Sequence, residues 1–479
     1  MFDVAIIGCG VIGAAAAYEL SKYKLKTVVI EKENDIAMGA TRANSAIIHA
    51  GFDPEPGTLM ARLNVRGCEL AEKLCAELSV PYIKNGSLVL AFSEKEDEHV
   101  KKLCAQGIAN GVPGIRVLSR EEVLAMEPNV SGSVTSALYA PSAGIISPWE
   151  YALAFAETAV RNGTELMLNS EVTAINTLAD GYELVCGEQK ITARRVINCA
   201  GVDSAAVHEM AAEKSFTVKP ARGDYYLLDK CEGGRAKCTL FQCPNELGKG
   251  VLISPTVHGN LIVGPNAIAC KDAHRVNTTA EGLAYVRAAA ARTMPSLTYR
   301  NSIRNFAGMR ANTDQSDFVI GIVKKGFIDL AGIKSPGLSS APAIAEECAE
   351  LLKKDGLELV KKENPVLTRK KIRFKELSAE EKQAVIRENP LYGRVICRCE
   401  TITEGEIVDA LHSPIPAVSV DGVKRRAGSG MGRCQGGFCG PRVLEIIARE
   451  KGISPLEVLK DGKGSHILDS ETKQGGEEA

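Results

Sequence analysis

Two pairs of cysteines near the C-terminal end could do redox or metal chemistry: Cys397-x-Cys399 in ICRCE, and Cys434-x4-Cys439 in RCQGGFC. Four thiolates in so short a stretch can hold Zn²⁺ or an iron–sulfur cluster. Zinc knuckles space paired cysteines by about two to four residues, and Cys-x-Cys is too tight for that. A rhombic [2Fe–2S] core needs two thiolates on each of two irons, with freer spacing, so the pattern favours this cluster over zinc. The glycines of GMGRCQGGFCG leave backbone N–H groups able to bond cluster sulfurs and tune the potential. Four unliganded thiols in vicinal pairs would oxidise readily.

The other end of the chain carries Gly8-Cys9-Gly10-Val11-Ile12-Gly13. It follows the buried-strand pattern DVAII and precedes AAAAYELSKYKL, a helical stretch with Leu20 and Leu25 as inward positions. TVVI then gives a second strand, closed by Glu31. In this strand–turn–helix–strand setting Gly8 permits the tight turn, Gly10 lets backbone approach a pyrophosphate, and Gly13 lets the helix pack closely on the strand. The helix N-terminus offers N–H groups and a positive dipole end to phosphates. Glu31 can accept hydrogen bonds from a ribose diol. The motif does not by itself separate FAD from NAD.

The segment MGATRANSAIIHAGFD is small, polar and glycine-rich, and Thr41, Asn44 and Ser45 in it can line a phosphate and a ring system. Here the chain resembles the FAD-dependent oxidoreductases of the D-amino-acid oxidase and glycerol-3-phosphate dehydrogenase superfamily. In those proteins a similar stretch runs under the flavin, and a His-x-Gly matching His49-Ala50-Gly51 lies at the active site. The resemblance implies His49 as general base, since a base titrating near neutrality suits alkoxide formation as hydride leaves. It also implies FAD contacts for Val172, in TELMLNSEVTAI, against the adenine, and for Ala200-Gly201, at the end of the strand in RRVINCAGVDS. In FIDLAGIKSPGLSS, the residues Gly332, Pro336, Gly337 and Leu338 stand at a helix start that would aim N–H groups at the flavin's pyrimidine edge. Arg310, in NFAGMRANTDQSDFVIG, falls where related enzymes bind an anion, and could grip a phosphate or carboxylate as a bidentate fork. Lys334 is a second candidate for the same anion.

These residues need scaffolds. The stretches GSLVLAF, GDYYLL, GVLISPT and GNLIVGP alternate like strands of an antiparallel sheet inserted into the nucleotide domain. The expected fold class is α/β: a Rossmann-like FAD-binding domain with an inserted antiparallel-sheet substrate domain, plus a small helical C-terminal [2Fe–2S] domain. The oxidoreductase is expected over residues 1–360, with FAD-binding parts at about 1–80, 145–215 and 325–360 and substrate parts at about 81–144 and 216–324. A charged, Pro-bounded linker or surface-wrapped strap is expected over 361–390, the cluster domain over 391–455, and a disordered polar tail over 456–479. CRCETITEGEI and DGVKRRAGSGMGRCQGGFCG resemble the bacterioferritin-associated-ferredoxin-like domain that ends the anaerobic type of glycerol-3-phosphate dehydrogenase subunit. That resemblance implies Cys397, Cys399, Cys434 and Cys439 as cluster ligands.

Composition bounds the rest. The 479 residues are 45% hydrophobic and 24% charged, with a formal net charge of −1, so no global field draws nucleic acid or an acidic membrane. The basic run Lys424-Arg425-Arg426 is too short to support a zinc-stabilised nucleic-acid module. No apolar run is long enough to span a membrane, so membrane contact is expected only through a partner. The 15 cysteines, an odd number and mostly scattered, fit a reducing cytoplasm. The expected function is an FAD-dependent dehydrogenase that oxidises the secondary alcohol of sn-glycerol 3-phosphate to dihydroxyacetone phosphate. It passes electrons through a [2Fe–2S] cluster to an electron-accepting protein subunit. One alternative is an L-2-hydroxyglutarate dehydrogenase, because SPGLSS departs from the Gly-Lys-Leu-Thr pattern of the aerobic respiratory enzymes. Another is a non-catalytic electron-transfer subunit of an amine or proline dehydrogenase complex.

Overall fold

The computed structural model describes residues 1–244 and 250–471. The chain divides into two compact units, one of Met1–Glu31 with Ala37–Arg369, the other of Lys32–Ile36 with Lys370–Ala479.

The first unit is built on two large sheets. In the nucleotide sheet, Glu165–Met167, Thr27–Ile30, Phe2–Ile7, Gln189–Asn198 and Phe327–Ala331 lie side by side and parallel. Val4 to Ile6, Val28 to Ile30 and Phe327 to Ala331 are buried, as expected of β-branched and apolar runs covered on both faces. The antiparallel ribbon Ala174–Leu178/Gly181–Cys186 extends one side, and Val319–Lys324 pairs with Phe327–Ala331. The helices Val11–Leu20, Pro148–Arg161 and Gly337–Lys354 pack together, and Leu59–Glu77 packs on the last of them. The first helix stops at Leu20; Leu25, expected as an inward helical position, lies half-buried beyond it in the turn that leads to Thr27. Residues 168–173 are irregular, so Val172 sits in a loop between Glu165–Met167 and Ala174–Leu178 and not within a strand pair.

The second sheet runs Ile268–Ala269, Ala221–Leu228, Leu261–Gly264, Leu252–Pro255, Thr239–Gln242, Ser87–Ala91, Ser136–Ala140, Arg116–Ser119, with Ser302–Arg310 also paired to Ala221–Leu228. It is antiparallel except where Thr239–Gln242 meets Ser87–Ala91 in parallel. That junction joins two antiparallel blocks from distant parts of the chain, and parallel neighbours require such a long connection. Leu88, Leu90, Leu240, Ile253, Leu261 and Val263 fill the core beneath it. A small three-stranded sheet of Ile47–Ile48, Gly144–Ile146 and Tyr82–Ile83 fixes the chain just before His49.

The second unit is helical, with a short hairpin of Val395–Cys397 and Ile402–Thr403. Glu404–Leu411, Val420–Ala427 and Gly440–Lys451 close over Ile402, Ile407, Leu411, Val423, Val443 and Ile447. The segment Lys32–Ile36 belongs here. The Asp35 carboxylate, 1% exposed, accepts from Arg425 at 2.8 Å and from Arg426 at 2.7 and 2.8 Å. Burial would raise the Asp35 carboxyl, but Arg426 and then Arg425 outweigh it and hold it at about 2.

Two expectations are corrected. Residues 361–390 are not a free linker but begin as a surface strap: the units divide at Arg369/Lys370, Arg369, still in the first unit, pairs with buried Glu157 at 2.6 Å, and Ala379–Glu388 is a helix. Ser378 and Glu381 form a capping box at its start. The tail is ordered through its described part. Val458 is fully buried, Leu459 bridges Ser419 and His466, and the Asp461 carboxylate accepts from Arg425 at 2.7 Å. Residues 472–479 of that expected disordered tail lie outside the described residues.

Candidate active site and cysteine pairs

The glycine turn has no room for side chains where the backbone doubles back. A Cβ on Gly13 would lie 2.0 Å from the Gly8 carbonyl oxygen, and one on Gly8 would lie 2.7 Å from that of Cys199. A Cβ on Gly10 would meet nothing closer than Thr41 Oγ1 at 3.4 Å, so the helix N-terminus faces open space there. Thr41 Oγ1 accepts the Val11 N–H at 2.9 Å, and the buried Glu31 carboxylate accepts the Cys9 N–H at 2.7 Å. Glycine cradle, helix end and acid are thus gathered on one turn and fit the pyrophosphate and ribose of FAD. On the far side of the turn, Ala200 N–H donates to Asn198 Oδ1, and Gly201 takes a left-handed conformation. Asn198 in turn donates to Asp329 at 2.8 Å, which meets His208 Nδ1 at 2.6 Å. Burial raises the Asp329 carboxyl, and this buried trio braces the second dinucleotide-facing turn.

Asn44 serves its own loop: its Nδ2 donates to Ala40 and Thr41 carbonyls, and its Oδ1 accepts the Ala46 N–H. Ser45 Oγ meets the Tyr225 hydroxyl at 3.1 Å, which ties the loop to the second sheet. Tyr225 stacks on Phe306, with centroids 4.7 Å apart. Gly308 lets the strand Ser302–Arg310 press on the same loop, because a Cβ there would fall 1.8 Å from the Ala43 carbonyl oxygen.

His49 is half-buried and held from both sides. Its N–H donates to Ser339 Oγ at 2.7 Å, and its carbonyl accepts from Asn64 Nδ2 at 2.7 Å. The imidazole stacks on Phe241 with centroids 5.6 Å apart, and its Nε2 lies 3.4 Å from Ser335 Oγ. A small recess is lined by His49, Gly51, Phe52, Asp53, Asn64 and Pro336. The structure therefore brings His49 to the start of the helix Gly337–Lys354, with Pro336 and Gly337 buried and Leu338 half-buried at that start. Gly332 ends the preceding strand in a left-handed conformation. Phe241, Asn64, Ser335 and Ser339 were not singled out from sequence; they come from three distant stretches that share no spacing signal.

Arg310 ends the strand that presses on Ala43, and both terminal nitrogens donate to the Asn266 carbonyl at 3.3 Å. Asn266 is fixed by Asp224, a fully buried acid whose N–H donates to Asn266 Oδ1 at 2.7 Å. The Lys334 ammonium donates to the carbonyls of Gln315 and Ser316, at 3.0 and 2.9 Å, and so closes a loop. Arg310 and Lys334 do not line the recess at His49.

The four cysteines stand as two pairs. Cys399 and Cys434 are exposed with sulfurs 3.7 Å apart; Cys397 and Cys439 are each 1% exposed. Two thiolates on one tetrahedral ion at about 2.3 Å lie about 3.7 Å apart, so the outer pair has the separation one iron imposes. The hydrogen bond from Cys439 lowers the Cys397 thiol to about 6 against its burial, and the same bond raises Cys439. Backbone N–H groups of Gly430 and Glu400 also point at Cys397 sulfur, and those of Phe438 and Gly436 at Cys434. Among the described residues no group of three or more His, Cys, Asp or Glu converges as a single metal ion would need. Two pairs of thiols with N–H donors aimed at sulfur fit a two-iron cluster.

Comparison with known proteins follows the same division. The family model described as FAD dependent oxidoreductase matches residues 3–351, and that described as BFD-like [2Fe-2S] binding domain matches residues 395–449. A glycerol 3-phosphate dehydrogenase of Caloramator mitchellensis is 50% identical over 476 residues, covering 99% of each chain. A glycerol 3-phosphate oxidase of Mycoplasma genitalium is 33% identical over 373 residues, 76% of this chain and 96% of the oxidase. The solved structure of the dithionite-reduced L-alpha-glycerophosphate oxidase from Mycoplasma pneumoniae, with FAD bound, matches with a TM-score of 0.73 at 33% identity. It covers 78% of this chain and 99% of that one.

Proposed function

The chain belongs to the FAD dependent oxidoreductase family, with a C-terminal [2Fe-2S]-binding domain, and from this we propose that it oxidises sn-glycerol 3-phosphate to dihydroxyacetone phosphate. One observation carries the reading: His49, pinned by Ser339 and Asn64, faces the recess at the start of the helix Gly337–Lys354. The relative that matches 99% of the chain is a glycerol 3-phosphate dehydrogenase, which favours this substrate over a 2-hydroxy acid and favours catalysis over a bare electron-transfer role.

When bound, FAD takes a hydride equivalent from the alcohol carbon and the cluster relays single electrons. The protein's own residues do the rest. His49 Nε2 takes the hydroxyl proton as the C–H bond breaks, so the alcohol becomes a ketone by loss of one proton and one hydride, in all two protons and two electrons. Phe241, stacked on the imidazole, and Ser335, beside its Nε2, hold the ring's orientation. Arg310, steadied by the Asn266 carbonyl, grips the phosphate as a fork, with Lys334 as the second cation for the same anion. Glu31 holds the ribose, and the Gly8–Gly13 turn with the first helix holds the pyrophosphate. Cys397, Cys399, Cys434 and Cys439 would hold the iron pair.

No helix among the described residues is long and apolar enough to cross a membrane. The cytoplasmic placement expected from cysteine usage is kept in this reading, with any membrane contact made through the acceptor.

The test is anaerobic titration of the loaded protein with glycerol 3-phosphate and, separately, L-2-hydroxyglutarate, followed by flavin absorbance and by EPR of the cluster. Bleaching and a cluster signal are expected with the first compound. Bleaching with only the second would overturn the substrate, and bleaching with neither would overturn the reaction.

A further inference from the structure

The surface around Cys399 and Cys434 is built unlike the rest of the small unit. These two thiols reach solvent while Cys397 and Cys439 do not, so the cluster-binding site opens outward on the Cys399–Cys434 side. Beside them stands Phe438, 56% exposed, the one aromatic among the exposed large hydrophobic side chains of the described residues. It is the immediate neighbour of buried Cys439, and the Arg398 guanidinium lies 4.9 Å from its ring centroid. A phenyl ring left in water forgoes the burial that a covering partner would supply.

The exposed side chains that adjoin Cys399 and Cys434 in sequence are arginines, and Glu400, which follows Cys399, is buried. Residues 394–399 and 430–442 hold Arg394, Arg398, Arg433 and Arg442 and no Asp or Glu. Arg394 and Arg442 pair with Glu404 and Glu445 of neighbouring helices. Arg398 and Arg433 each adjoin an exposed cysteine in sequence, and both are exposed. An exposed aromatic stacked with arginine has the composition of an interface centre. Its positive field selects acidic partners and speeds their approach.

We propose that Phe438 and Arg398 form the docking contact for an acidic one-electron carrier protein at the Cys399–Cys434 face. The inference rests on the dehydrogenase reading and adds the acceptor's chemistry and its place of contact. Each docking passes one electron to the carrier's centre. The two electrons from one alcohol leave in two such events; the hydroxyl proton leaves through His49, and the proton that arrived with the hydride is released to solvent as its electrons depart.

The test uses the iron- and FAD-loaded protein with two one-electron haem carriers: cytochrome b5, which is acidic, and cytochrome c, which is basic. Binding to each immobilised oxidised carrier is measured by interferometry over a range of salt, and carrier reduction is followed after dithionite reduction of the loaded protein. Binding and reduction of cytochrome b5 are expected to exceed those of cytochrome c at low salt and to fall as salt rises. Arg398→Glu and Phe438→Ala should each weaken both by about tenfold or more, with Arg398→Gln intermediate. Iron content, the cluster EPR spectrum, substrate bleaching of the flavin and ferricyanide reduction should be unchanged in all three. Equal or greater reactivity with cytochrome c would overturn the proposal. So would unaltered cytochrome b5 binding in the variants, or a changed cluster midpoint potential without changed binding, which would make Arg398 a tuning charge. Because reduction is by dithionite, failure of substrate to bleach the flavin would sink the dehydrogenase reading and leave the docking result standing.

Discussion

His49 Nε2 lies 3.4 Å from Ser335 Oγ, and the His49 backbone N–H donates to the hydroxyl of Ser339 at 2.7 Å, so two serines on either side of Pro336 hold one histidine, by its ring and by its backbone. A base so held should matter for the proton step and not for flavin retention. His49→Ala should slow substrate-driven flavin reduction by roughly 10²- to 10⁴-fold in anaerobic stopped flow, with the FAD content unchanged. An unaltered rate removes His49 from the reaction.

Arg310 should act on binding of the anion. Arg310→Ala should raise KM for glycerol 3-phosphate by about 10- to 100-fold, the weight of a hydrogen bond to a charged group. Arg310→Lys should recover only part of this, because the fork is lost while the charge stays. Steady-state kinetics with glycerol 3-phosphate and with unphosphorylated glycerol checks the assignment: a penalty shared equally by both compounds would mean that Arg310 does not meet the phosphate.

The glycine turn gives a steric expectation. Gly13→Ala places a Cβ 2.0 Å from a backbone oxygen that cannot swing aside, so the turn must open and the protein should purify without FAD. Gly234→Ala, where nothing lies within 4 Å, serves as the control and should retain its yellow colour. A fully loaded Gly13→Ala protein would show that the nucleotide is held elsewhere.

Much of this site was legible because it is local. Gly8 and Gly13 touch within one turn of chain, and the motif that ties them is short enough to read directly. The cysteine pairs are equally compact, and their glycine-rich surroundings signal N–H donors to sulfur. The capping box of Ser378 and Glu381 was readable too, yet the charge of that stretch hid an ordinary surface helix. What sequence does not carry is convergence from afar. Asn64, Phe241, Ser335 and Ser339 meet His49 only because two sheets and two helices fold over it. Asp35 in EKENDIA reads as a common turn acid, and its guanidinium partners lie 390 and 391 residues away.

Cys434→Ser should separate the two halves of the chemistry. Flavin bleaching by glycerol 3-phosphate should persist, while the cluster EPR signal and reduction of a protein acceptor should fall away together. Loss of bleaching as well would mean that the flavin cannot be reduced without the intact iron site.

Asp35 sets an acid limit on the smaller unit. A carboxyl held at about 2 when folded, below its usual 3.8, stabilises the fold fully above about pH 4. That share, about 2 kcal/mol, is lost as pH falls toward the folded value. Asp35→Asn should cost about 3–5 kcal/mol at neutral pH, since Arg426 is left buried without its carboxylate and Arg425 keeps only Asp461. Hydrogen exchange at Val420–Ala427, corrected for intrinsic rates, should show protection falling between about pH 4 and 2 in the parent and a flatter, lower profile in the variant. Identical profiles would refute the linkage.

Lys32–Ile36 also governs how these proteins can be recombined. Cutting the chain after Arg369 would not release a self-sufficient flavoprotein, because Asp35 would stay behind as an acid shaped for two arginines that had gone. Grafting the cysteine-bearing module onto another chain, or removing it, takes two seams: one at the obvious C-terminal junction, and one five residues wide immediately after Glu31.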